Sequence, residues 1–471
     1  MLNKLLKQGL HYASGSLLLS LASLISFPIL TRYLPVEQYG YLSLITTISG
    51  LLAAIYKLGL QQSIVRFFKP GDHALASNVA YTFLLTTFII SVFISLIAFF
   101  TLYEFGRSLI IVIILIAFLQ SMRSVVIGLY MSMQNSLYVN IVNVIYKYGS
   151  LFFMLIFIFY YEKSAISVVF SILVTDLLLM FIVFKRFVLD VTFLKPNVEL
   201  IKKVSIYGFP LMLVEVLQIG HAFTDRFIIN YFLDSKSVAM YVAPHSISRI
   251  ISDVIFGGVA TALVPIYMGM WKEEEFDNAK KFINKISDYF LYIFPISVAG
   301  LYVISEPLMS ILASEKYSES SYILPITFLG VGLFASTFIY SAGLKIKKNQ
   351  FKLLQFVFES LIINLVLNFI FIKKYGIAAA AWTTVLSYLW MTIRFYIESK
   401  PVIEVNINTK YLLYGVLVSL LMIFMDYYFI DIETGIYDIM VTVFLGIILA
   451  SFVLLKLSSE LREIIFKKLN F

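Results

Sequence analysis

The sequence has no cysteine among its 471 residues, which excludes disulfides, thiolate nucleophiles and cysteine-ligated metal together. Charge is almost as scarce. Asp, Glu, Lys and Arg make up 14% of the chain, against 60% hydrophobic and 16% aromatic residues, and the mean hydropathy is +0.91. Too few polar groups remain to cover a water-soluble globule. The four histidines, His11, His73, His221 and His245, form no H-E-x-x-H pair, and the chain holds no D-x-D pair and no nucleotide-binding motif. No metal, no cofactor and no direct use of ATP are therefore expected. What is present is hydrocarbon: about 280 apolar residues, enough for about fourteen crossings at about 20 residues each.

The apolar stretches are separated by short segments carrying Pro, Gly or charge, the punctuation of a polytopic helical bundle rather than of a β-barrel. The spacing predicts an all-α membrane protein with spans near 9–31, 39–60, 77–102, 108–132, 138–161, 165–184, 204–230, 237–264, 283–305, 322–344, 353–372, 376–396, 411–430 and 436–455. With the N-terminus inside, 24 of the 36 Lys and Arg fall in cytoplasmic segments, seven in outer loops and five within spans. This bias puts both termini in the cytoplasm and accounts for the net charge of +8 without a nucleic-acid partner. The outer loop with Asp431 and Glu433 agrees, and Lys373 with Lys374 is the exception. The first apolar run, after Lys4 and Lys7, has no small-residue cleavage site and reads as a retained signal anchor. Three segments are expected to lie along the membrane surface: the tail with Leu457, Leu461, Ile464, Ile465, Arg462, Lys467 and Lys468; Trp271 to Lys285; and Arg66, Phe67, Phe68, Lys69.

A shift of 199 residues lays Leu34 on Leu233, Gly40 on Ala239 and Gly59 on Gly258, mapping spans 1 and 2 onto spans 7 and 8 in the same orientation. Parallel six-helix halves are the expected result. The division is then an N-terminal lobe 1–186, a cytoplasmic linker 187–203, a C-terminal lobe 204–398, an additional helix pair 399–455 and an interfacial tail 456–471, with the two lobes in a V.

Ionisable groups at mid-membrane cost about 2.5–3.5 kcal/mol on insertion scales, so they mark paired or wet environments. Those here are Lys57, Arg123, Lys147, Asp176, Glu215, His221, Asp225, Arg226, His245, Arg249 and Asp253. Tyr241, His245, Arg249 and Asp253 recur every four residues and share one helix face, and Glu215, Gln218, His221, Asp225 and Arg226 share an arc of span 7. Lys57, Arg123, Lys147, Arg226 and Arg249 are the candidate cavity bases, suited to an anion because a guanidinium fork matches phosphate oxygens. Asp176 is also placed to neutralise Arg123 or Lys147. Coupling to protons, sodium or membrane potential stays open, with Asp176, Glu215, Asp225, His245 and Asp253 as candidates.

The run Phe27 to Pro35 with Tyr39, Gly40, Leu58, Gly59 and Leu60 resembles the opening of bacterial polysaccharide biosynthesis flippases. These are the O-antigen and repeat-unit translocases of the multidrug, oligosaccharidyl-lipid and polysaccharide exporter superfamily. Tyr207 to Pro210, Asp225 to Phe227 and Tyr241 resemble the start of that family's second half. Glu306 to Leu308, Lys316 with Tyr317, and Asn364 to Asn368 followed by Gly376 to Ala381 resemble its later landmarks. The resemblance implies a transporter that is not an enzyme. It would move an undecaprenyl-pyrophosphate-linked glycan across the bacterial inner membrane by alternating access, for O-antigen, capsule or exopolysaccharide assembly. It also implies membrane lipids, a polysaccharide polymerase and chain-length machinery as partners. Fourteen spans are similar to the lipid II flippase branch, whose denser arginine set in the first spans is missing here. A cation-coupled drug exporter of the same superfamily is the main rival. A membrane glycosyltransferase or polymerase is disfavoured, because no large outer loop and no nucleophile–base pair are present.

Overall fold

The computed structural model describes residues 2–67, 73–101, 107–133, 135–190, 197–429 and 436–457. Among them there are helices and no strand. Ten of these helices are long and apolar enough to cross a membrane; the described parts of the fourteen expected spans are mainly helical, with 39–60 interrupted at Lys57–Gly59 and 322–344 at Ser341. The count of ten differs from fourteen for stated reasons. One 50-residue helix holds two expected spans, the side chains of the first helix are described only from Leu18, and the helices at spans 7 and 8 carry the polar stripes. The tail beyond 457, Phe68, Lys69 and the acidic loop with Asp431 and Glu433 lie outside the described residues.

The chain forms two compact units, residues 1–239 with 357–374 and residues 240–356 with 375–471. The first contains α1 (Leu2–Tyr33), α2 (Val36–Tyr56), α3 (Leu60–Phe67), α4 (His73–Thr101), α5 (Arg107–Ser132), α6 (Ser136–Tyr160), α7 (Ala165–Asp190) and α8 (Val198–Phe232). Its core joins Leu60 and Ile64 of α3 to Phe83, Val126, Val142 and Val204. Asparagines start two of these helices: Asn135 accepts from Tyr138 N and Asn197 from Leu200 N, both at 3.1 Å.

Between α2 and α3 the chain turns through two left-handed residues, Leu58 (φ 49°) and Gly59 (φ 65°). A Cβ on Gly59 would lie 2.0 Å from Gly208 O, so α8 seats backbone against backbone on this break. Ser63 Oγ donates to Val204 O (3.2 Å) one turn away. Gly40 meets the start of α9, where a Cβ would fall 1.9 Å from Ser235 O and 3.2 Å from Ala239 N. Gly40 and Ala239 are the two positions that the 199-residue shift superimposes.

The second unit contains most of α9 (Ser235–Ser252), α10 (Gly258–Lys272), α11 (Phe276–Val303), α12 (Ser305–Leu312), α13 (Ile323–Tyr340), α14 (Ala342–Ile346), α16 (Thr409–Phe429) and α17 (Ile436–Leu457). Asp234 caps α9, its carboxylate accepting from Ser237 N at 2.7 Å, and that backbone contact holds it below the usual carboxylate range. α11 is the hub: Gly415 of α16 lies against its backbone at Tyr292 O, and the Tyr292 hydroxyl donates to Ala450 O of α17 (2.7 Å). Trp271 and Phe276 meet edge-on at 4.6 Å across the α10–α11 turn.

α15 (Gln350–Ser399) contributes to both units and is two helices joined at Gly376, whose φ of 65° and ψ of −150° no helix contains. Several buried hydroxyls are absorbed by their own helices, as Ser171 Oγ donating to Val168 O (2.6 Å) and Thr175 Oγ1 to Ser171 O (2.7 Å). Ser23 donates to Leu19 O in the same way. Large apolar side chains such as Phe100 and Phe181 stay exposed on the outside, which hydrocarbon tolerates and water does not.

Candidate functional site

The interior of the first unit holds three polar clusters. At the end of α2, Lys57 Nζ lies 2.7 Å from Glu215 Oε1 of α8, with both side chains largely removed from solvent. Deeper on α5, Arg123 Nε lies 3.0 Å from Asp176 Oδ1 of α7, and its guanidinium stacks over the Tyr146 ring of α6 at 3.6 Å. Only one oxygen of each acid is engaged: Asp176 Oδ2 and Glu215 Oε2 are buried and have no hydrogen-bond partner among the described residues.

The third cluster forms where α8 meets residues 357–374. Asp225 Oδ1 accepts from Asn364 Nδ2 (3.1 Å) and Asn368 Nδ2 (2.7 Å). Asn364 Oδ1 in turn accepts from Thr224 Oγ1 (2.6 Å) and from Asn368 Nδ2 (3.1 Å). His221 Nε2 lies 3.3 Å from Ser360 Oγ one turn away. Asp225, Asn364, Asn368, His221, Thr224 and Ser360 are all buried. The next residue on α8 points elsewhere: Arg226 Nη1 donates to Ser43 O at 3.3 Å and to Thr47 Oγ1, both on α2. A helix advances about 100° per residue, so two adjacent charges address two different neighbours.

Lys57, Arg123, Arg226, Asp176, Glu215 and Asp225 thus sit in the interior of the first unit, and Lys147 on α6 is partly buried there. Lys57 and Arg123 are each held by an acid, Arg123 through its Nε. The stripe on α9 belongs to the second unit. Tyr241 and His245 stack at 5.9 Å, while Arg249 and Asp253 are exposed. Asp253 opens a single π-helical turn, Asp253–Gly257, which shifts the register and ends the stripe. Charge alone would have missed Asn364, Asn368, Thr224, Ser360, Thr47 and Tyr146. Two asparagines four residues apart in an apolar span are themselves a signal, since each buried amide needs a partner on the same side of the helix.

Breaking one buried pair has a measurable cost. Arg123→Gln leaves the Asp176 charge without its cation, so a loss of about 3–5 kcal/mol is expected. Arg123→Gln with Asp176→Asn is expected to recover most of it, as read by thermal unfolding of purified protein in one detergent.

The fold and these buried charges define the class, a multi-span helical membrane bundle with ionisable groups in its interior. The chain is similar to a solved lipid II flippase, MurJ, in its inward closed conformation, with a TM-score of 0.76 at 14% identity over 97% of this chain and 99% of that one. It is also similar to an inward-facing MATE multidrug resistance transporter, with a TM-score of 0.66 at 16% identity over 82% and 94%. Residues 5–271 match the polysaccharide biosynthesis protein family, and the chain belongs to it. A relative, the capsular polysaccharide biosynthesis protein CapF of Staphylococcus aureus, is 21% identical over 397 residues, 81% of this chain and 96% of its own length.

Proposed function

We propose that this protein flips an undecaprenyl-pyrophosphate-linked oligosaccharide from the cytoplasmic to the outer leaflet of the bacterial inner membrane, both termini facing the cytoplasm. Family membership and the capsular relative support a glycan-assembly role. The observation that carries the substrate's charge is the pairing of buried bases with single carboxylate oxygens at Arg123–Asp176 and Lys57–Glu215. A pyrophosphate offers a guanidinium two oxygens where Asp176 gives one, so it competes for Arg123 in a low-dielectric interior. Lys147, Arg226 and Arg249 complete the proposed set of bases. The sugars occupy the wet interior and the polyprenyl chain stays in lipid through a lateral opening. Rocking of one lobe against the other exposes the site alternately. The polymerase and chain-length machinery act on the delivered unit.

Deletion of the gene is expected to strand undecaprenyl-linked repeat units on the inner leaflet, inaccessible to a membrane-impermeant glycan label until the gene is restored. Arg123→Ala combined with Arg249→Ala is expected to reproduce that block at normal protein abundance. Unchanged surface-polysaccharide output would refute the phosphate-site reading. The likeness to MATE transporters favours one rival, a cation-coupled drug exporter. It is the correct reading if purified protein extrudes cationic dyes while repeat-unit transport is normal in the deletion strain.

A further inference from the structure

Where α3 meets the start of α8, aromatic rings and bases alternate in one exposed stack. The Arg66 guanidinium lies 4.6 Å from the Tyr207 ring centre and its Nη1 donates to the Tyr207 hydroxyl at 3.3 Å. Tyr207 meets Phe67 edge-on at 5.4 Å, and Lys203 Nζ lies 5.2 Å over the Phe67 ring. Arg66, Lys202 and Lys203 are exposed, and among the described residues no carboxylate pairs with any of them. The other bases in this region behave differently, since Lys57 is paired and buried. Around the stack Val65, Ile206 and Phe209 are exposed too.

Three unpaired cations, aromatic rings beside them and apolar side chains at the rim match one chemistry, a phosphodiester at the water–hydrocarbon boundary with acyl chains below it. We infer that this junction is a docking site for anionic phospholipid headgroups, and that a bound headgroup clamps α3 to α8. One phosphate between Arg66 and the two lysines removes their mutual repulsion and adds a bridge between segments that already touch through Gly59, Gly208 and Ser63 and through the Arg66–Tyr207–Phe67–Lys203 stack. α3 lies in the first repeat of the sequence and α8 opens the second, so the lipid steadies the joint between repeats. The inference holds whatever molecule is transported.

The test uses full-length protein reconstituted in phosphatidylcholine vesicles, in the same vesicles with phosphatidylglycerol, and in phosphatidylcholine with a polyprenyl pyrophosphate. Phosphatidylglycerol is expected to raise the unfolding midpoint by several degrees, and added salt to erode the rise. Arg66→Gln with Lys202→Gln and Lys203→Gln is expected to abolish most of it. Lys281→Gln with Lys347→Gln and Lys348→Gln, an equal loss of charge at exposed positions elsewhere, is expected to keep it. If the first triple variant does not fold, lipid retention by wild-type protein and by Arg66→Gln alone is compared by native mass spectrometry, and the single variant is expected to retain fewer phosphatidylglycerol molecules. The inference is overturned if wild-type protein is indifferent to phosphatidylglycerol, if both triple variants lose the effect equally, if Arg66→Gln retains as much lipid, or if only the polyprenyl pyrophosphate stabilises.

Discussion

Asp225→Ala is expected to abolish transport and to destabilise the protein at the same time, while Asp225→Asn separates the two effects. The alanine variant strands the amides of Asn364 and Asn368, which donate to Asp225 at 3.1 and 2.7 Å in a fully buried position. Each unsatisfied buried donor costs about 1–3 kcal/mol. The asparagine variant keeps the volume and an acceptor oxygen but removes the charge, so its fold is expected to survive nearly intact. If Asp225, one of the five coupling candidates, is the group that takes up a proton or a small cation, Asp225→Asn proteoliposomes carry substrate at a rate that no longer responds to an imposed ion gradient. Wild-type vesicles respond. Equal responses in both would move the coupling role to Asp176, Glu215, His245 or Asp253.

The other large effect is expected at the glycine pair between α2 and α8. Gly59→Ala places a methyl 2.0 Å from Gly208 O and also imposes a side chain on a φ of 65°. The left-handed backbone alone costs about 1–2 kcal/mol, and the overlap is with backbone, which cannot rotate away. Gly208→Ala meets Leu58 O at 2.7 Å and Ser63 Oγ at 2.8 Å with an ordinary helical backbone. Gly59→Ala is therefore expected to be the worse of the two, lowering both abundance in the membrane and the unfolding midpoint. Gly376→Ala is the informative contrast. A Cβ there would meet nothing within 4 Å, so its whole cost is that of a backbone (φ 65°, ψ −150°) that glycine alone adopts readily.

Hydrophobic length made the helices legible, because each crossing needs its own apolar run and the intervening charges cannot enter the bilayer. The same rule hid the joints. Apolar length carried the expected second span on to residue 60, whereas α2 ends at Tyr56 and a short amphipathic helix follows the Leu58–Gly59 turn. Within the site, charge was the readable signal, and it picked out Arg123 and Asp176, which do meet. It placed Asp225 and Arg226 together on one arc of span 7. The structure instead sends one to Asn364 and Asn368 and the other to Ser43 and Thr47. Contacts made across 139 to 183 residues depend on which helices become neighbours, and periodicity within one helix carries no information about that.

The discontinuity of the first unit bears on biosynthesis. Asp225 leaves the ribosome long before Asn364 and Asn368, because 139 and 143 residues separate them. During that interval the acid has to wait in the translocon, at the lipid boundary or shielded by an insertase, without the two amides that finally hold it. The unit is closed only when residues 357–374 have been delivered. A nascent chain stopped short of that segment leaves this carboxylate without either amide, so completion of the first unit is registered at a single acid.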